Sequence, residues 1–199
     1  MLRSSLSLLM LTLAATATPA HAAETETRAI AAPDVAHAKK YAQDGVSVSL
    51  PGNWTVTENT AMDEGGGRAL GIEADKPDFE TLGLDITLQV YPEDIAPSLE
   101  GAAEFLVARQ IDGSKNYSEP KHSDYKLGGR FPALVSRYTH TVFGADSPYA
   151  KRVDLYALKP CGDGWVCLIF AQTLAANESA ASAGMAKLYE TMKFAPAKE

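Results

Sequence analysis

The side chains able to do chemistry are few and scattered. Three histidines lie beyond the first two dozen residues: His37, His122 in a charged segment, and His140 in an alternating stretch. None has another His or Cys within a few positions, so the short ligand spacing of a transition-metal site is missing and no metal is expected. A structural role is the reading favoured for His140 over ligand or base. The chain carries no G-x-S-x-G elbow, no H-E-x-x-H and no S-x-x-K, so no catalytic residue is assigned and no cofactor is expected. "DEGGGR" lacks the Lys-Ser or Lys-Thr of a phosphate loop and falls between extended segments, which makes it a turn.

Two cysteines, Cys161 and Cys167, bracket "CGDGWVC". With no third thiol to compete, a disulfide across a hairpin end is the simplest reading in an oxidising compartment; free thiols and a redox or metal role remain the alternatives. Five carboxylates, Glu73, Asp75, Asp78, Glu80 and Asp85, crowd "IEADKPDFETLGLD" without the spacing of a helix-flanked calcium loop, and read as a solvated acidic segment. Sequons occur at Asn53, Asn116 and Asn177, of use only to a host that glycosylates on export. "HTVFGADSPYAKR" carries Phe143 and Tyr149, and Trp165 follows the cysteine turn. Exposed together, these three would form a partner-binding surface; folded back, they are core.

The elements that position these residues begin after a leader. Arg3, an apolar run from Leu6 to Ala15 and Ala20-His21-Ala22 make a secretory signal peptide over 1–22, cleaved near Ala22, with an uncleaved anchor as the alternative. The run is too short to span a bilayer, and no membrane span is expected elsewhere. Lys and Arg number 18 against 25 Asp and Glu, a net charge of −7. That balance disfavours nucleic acid and anionic lipid as partners. The expected location is the periplasm, or outside the cell.

Residues 23–44 read as a flexible leader, and 45–195 as one globular domain with a short tail over 196–199. "GVSVSLPGNWTV" alternates apolar and polar residues on both sides of Pro51-Gly52-Asn53 and predicts an opening hairpin. "LGLDITLQVY" predicts a strand buried on one face. Ser98 is placed to cap a helix running to Asp112-Gly113. The second half returns to strands through a Gly128-Gly129 turn. Val166 to Ala171, apolar at almost every position, predicts a central strand covered on both faces. Ala181, Met185, Leu188 and Met192 recur at helical spacing in a last element from Asn177 to about Lys193. Many strands with one inserted and one terminal helix give an α+β layered domain on a mostly antiparallel sheet.

"LPGNW", "LGGRFPALVSRY", the hairpin that follows and the ending "YETMKF" together resemble the PsbP-like and DcrB-like group over residues 44 to 195. The landmarks are Pro51, Trp54 and the neighbourhood of Gly129 to Ala133. The resemblance implies a three-layer α/β/α sandwich and a binding or accessory role, with no shared catalytic set to carry over. Relatives that assist photosystem assembly or bind a nuclear-transport GTPase find no matching residues here. The cysteine pair lies outside the group's general pattern. The function expected is an exported, non-catalytic accessory protein of the bacterial envelope, holding another envelope protein or a small ligand. An inhibitor or immunity protein against a secreted toxin is the first rival. A hydrolase assembled by the fold, with His140 or His122 beside a carboxylate and a hydroxyl, is the second.

Overall fold

A computed structural model describes residues 30–62, 67–74, 84–111, 115–144, 146–147 and 149–196. The leader expected over 1–22, most of the acidic segment and the glycines of "DEGGGR" before Gly67 lie outside the described residues. No helix among the described residues is long and apolar enough to cross a membrane.

The described chain forms ten strands and two α-helices. In order they are β1 (Lys39–Gln43), β2 (Val46–Leu50), β3 (Trp54–Ala61), β4 (Arg68–Ala74), β5 (Leu84–Pro92), α1 (Leu99–Ile111), β6 (Lys121–Leu127), β7 (Phe131–Thr139), β8 (Lys151–Gly162), β9 (Trp165–Leu174), α2 (Glu178–Thr191) and β10 (Lys193–Phe194). Seven strands make an antiparallel sheet in the order β3-β4-β5-β9-β8-β7-β6, and β1-β2-β10 form a smaller one. The apolar run at 166–171 becomes β9, fourth of the seven, which is why it needs apolar side chains on both faces.

The expected opening hairpin is not one. Val46–Leu50 and Trp54–Ala61 belong to different sheets, and β2 pairs with β1 on one side and β10 on the other. The segment expected to be a flexible leader supplies β1, joined to β2 by a turn in which Asp44 and Gly45 both take positive φ, 49° and 82°. Asp-Gly is among the strongest two-residue hairpin signals, because both positions must enter that region. Upstream, the Asp34 amide donates to Asn53 Oδ1 at 2.9 Å and the Ile30 amide to Asn177 Oδ1 at 3.1 Å.

One core cluster joins β2, both halves of the large sheet and α2 through residues such as Leu50, Trp54, Val135, Leu155, Ile169 and Met185. A second joins Ala103 and Val107 of α1 to Leu134, Tyr156 and Phe170. Leu134 and Val135, like Leu155 and Tyr156, are neighbours on one strand and so point to opposite faces. The two helices therefore pack on opposite faces of the large sheet.

Ser98 caps α1 as expected, its Oγ accepting the Gly101 amide at 3.0 Å. The α2 surface fits the sheet only because residue 184 is glycine: a Cβ there would lie 1.9 Å from a ring carbon of Trp54, which is fully buried. On the other face α1 rests on β7 and β8. Over β3 to β5 that face is less covered, with Thr55 and Asp85 exposed.

Candidate functional site

A polar row runs across the α1 face of the large sheet. Register sets His122 opposite Ser136, Ser136 opposite Asp154, Asp154 opposite Gln172, Gln172 opposite Asp85, and Asp85 opposite Glu73. Ser136, Asp154 and Gln172 interrupt strands that are otherwise largely apolar and buried, and directly opposed residues on one face are near enough to interact. The middle of the row is deeply buried: Ser136 is 0% exposed and Asp154 1%.

Hydrogen bonds link these residues into a relay. His122 Nδ1 lies 2.7 Å from Ser136 Oγ, and Ser136 also shares a hydrogen bond with the Tyr156 hydroxyl. Asp154 accepts from Tyr156 at 3.1 Å and from Tyr138 at 3.2 Å. The Tyr138 hydroxyl is also 2.7 Å from Gln110 Oε1 in the last turn of α1, an oxygen that accepts from Gln172 as well. α1 is thus pinned to the sheet at its C-terminal end by amide and phenol groups. Burial pushes the Asp154 carboxyl up to about 7, against the opposing pull of the two tyrosine bonds and the Arg152 charge. Tyr138 and Tyr156 rise too, from burial first and then from the negative charge of Asp154.

The row brings together an imidazole, a hydroxyl and an acid, the ingredients named for a hydrolase. Their order differs from a nucleophilic triad, where the acid orients the imidazole's second nitrogen. Here the acid lies beyond the serine and is bonded to two phenols. Sequence reading named His122 but missed Ser136, Tyr138, Asp154, Tyr156 and Gln172. The only local signal was a lone polar residue inside "ALVSRY", "RVDLY" and "FAQT"; register alone shows that these align.

Beside α1, a cavity of about 390 Å³ is bounded by Gln89 and Tyr91 of β5, Leu168 of β9, and Ile95, Phe105 and Arg109. That volume falls in the range of small-ligand pockets. Ile95 is 50% exposed and Phe105 61%, with the Arg109 guanidinium 5.8 Å from the Phe105 ring centre. An apolar rim with one cation and two polar groups at the floor suits recognition more than chemistry.

Of the aromatics singled out from the sequence, Phe143 and Tyr149 meet, their rings 6.0 Å apart, in a group with His140 (4.8 Å from Phe143) and Tyr117 (4.4 Å from His140). His140 Nδ1 is buried without a partner among the described residues. Val142 and Phe143 remain 63% and 44% exposed. Trp165 lies at the other end of the β8–β9 hairpin, where it packs edge-on against Phe194 at 4.7 Å. It forms no common surface with the other two.

Cys161 and Cys167 are joined by a disulfide, with Cα atoms 5.8 Å apart, across the β8–β9 turn. Of the sequon asparagines, Asn177 is buried and Asn53 spends its side chain on Asp34 and Ala32.

No family model and no curated protein matches the sequence. Two solved structures align with the chain at low similarity. Cyanobacterial PsbP (CyanoP) from Synechocystis sp. PCC 6803 aligns with a TM-score of 0.45 at 12% identity, covering 79% of this chain and 92% of that one. LpqN, involved in cell envelope biogenesis of Mycobacterium tuberculosis, aligns with a TM-score of 0.41 at 16% identity, covering 80% and 92%. Neither passes a residue role, partner or activity to this chain.

Proposed function

We propose that this chain is an exported, non-catalytic binding protein whose working surface is the flank of α1 and the adjoining face of β5. The observation that carries the reading is the 390 Å³ cavity there, flanked by two large apolar side chains that are at least half exposed. Exposed apolar groups gathered at a concavity, with polar groups at its floor, are the usual signature of a recognition site. The cysteine bridge and the reading of 1–22 as a secretory leader support export to an oxidising compartment. The thin cover over β3 to β5 fits an α/β/α sandwich whose α1 layer is narrower than the sheet it lies on.

A second reading, an inhibitor that inserts a loop into a partner, draws on Val142 and Phe143 at the β7–β8 connection. Capture from envelope extract with wild type, Phe105→Asp and Phe143→Asp, each with an unchanged melting temperature, separates the two. Loss of the captured partner with Phe105→Asp alone supports the α1 flank. Loss with Phe143→Asp alone supports the inhibitor reading, and capture unaffected by Phe105→Asp removes the α1 flank from consideration.

A further inference from the structure

We propose that the groove where β6 and β8 begin and β7 ends binds a phosphate group, held by Lys121, Arg137 and Lys151. It lies away from the α1 cavity and goes beyond the reading above. The groove holds about 470 Å³ and is lined by those three cations together with Ser118, Glu119 and Thr139. Register sets Lys121 directly opposite Arg137, and Thr139 directly opposite Lys151. Arg137 and Thr139 are two apart on β7 and so face the same side, which gathers three positive charges on one face of neighbouring strands. Like charges set directly opposite on a sheet repel and cost stability. In a chain of net charge −7, such a concentration is not inherited from the composition.

Among the described residues neither Lys121 nor Lys151 has an ion-pair partner. Arg137 does, and its partner is informative. Its Nη2 and Nε reach the two carboxylate oxygens of Glu178 at 2.5 and 3.3 Å, a fork that already grips an oxyanion from within the chain. Arg152 also lines the groove and is buried, with Nε unpartnered among the described residues. Alternation places its side chain beside Tyr138 and Asp154, so it adds positive potential from beneath. Ser118 Oγ accepts the Thr139 amide at 2.9 Å, leaving its own proton free to donate. Glu119 is the acid of the lining and faces more positive charge than it can neutralise. A phosphate carries between one and two negative charges near neutral pH and three strong acceptor oxygens, a match for several cations and a hydroxyl at once. A lone carboxylate needs no more than the Arg137 fork that Glu178 already fills.

The test uses the full chain in chloride buffer at fixed ionic strength, titrated by calorimetry with inorganic phosphate or glucose 1-phosphate. Saturable binding and a rise in melting temperature are expected with at least one of them. A tighter monoester identifies an organic phosphate as the ligand, and equal affinities identify the free ion. Lys121→Gln with Lys151→Gln should weaken binding at least tenfold while raising the ligand-free melting temperature, because the repulsion is relieved. Glu178→Gln should tighten binding severalfold by releasing Arg137. Binding that matches chloride at equal ionic strength, or a phosphate effect undiminished in the double variant, overturns the assignment.

Discussion

His122 Nδ1 and Ser136 Oγ sit 2.7 Å apart across β6 and β7, and Asp154 stands opposite the serine on β8. An exposed imidazole therefore anchors the outer end of a buried relay, and among the described residues its hydrogen bond goes to the serine. We expect Ser136 to be inert: a serine-directed fluorophosphonate should leave the protein's mass unchanged. Ser136→Ala should cost about 1 kcal/mol in urea unfolding by leaving Tyr156 and His122 short of a partner. An adduct at Ser136 would establish a reactive centre instead.

Asp154 makes stability depend on pH in a direction opposite to most paired carboxylates. Its folded pKa, about 7, lies above the usual 3.8, so the folded state binds more protons between those values. The contribution is fully present below about pH 4 and is lost as pH rises through about 7, on the order of 4 kcal/mol at most. Chemical denaturation from pH 4 to 8 should show this decline. Asp154→Asn, which keeps an acceptor for the two phenols, should flatten it and leave the variant more stable than wild type at pH 8.

Gly184→Ala sets two effects against each other. Helix propensity alone favours alanine by roughly 1 kcal/mol. The new methyl would fall 1.9 and 2.1 Å from two carbons of the Trp54 ring, which has no exposed edge along which to retreat. Overpacking typically costs 1–3 kcal/mol, so a net loss of about 1–2 kcal/mol is expected in a urea unfolding curve. A gain would mean that α2 can lift from the sheet without penalty.

The Cys161–Cys167 bridge closes a short loop, for which chain entropy gives about 2 kcal/mol. Cys161→Ser should lower the melting temperature by several degrees without changing which proteins are captured. Melting identical to that of oxidised wild type would show that the bridge contributes nothing.

Where burial alternates with the chain, the sequence was readable. Leu84, Ile86, Leu88 and Val90 announced β5, the unbroken apolar run announced β9, and Ser98 marked the start of α1. β1 escaped because "KKYAQ" is mostly exposed and is held by backbone pairing, which leaves no hydrophobic pattern; only the Asp44-Gly45 turn betrayed it. The start of α2 depends on a distant residue. Asn177 stands at the cap position but gives its side chain to the Ile30 amide, a long-range bond that outcompetes the local one. The candidate site was least legible of all. The relay and the phosphate groove exist only through register, and a single sequence does not say which strand lies beside which.

β5 ends at Pro92, and its sheet partner β9 starts only at Trp165. Until that distant stretch is available, β5 presents an open row of amides and carbonyls with Leu84, Ile86, Leu88 and Val90 on one side. Pairing of this kind is slow, because a long loop must close before any contact rewards it. The seven-stranded sheet is therefore continuous only once Trp165–Leu174 is in place between β5 and β8.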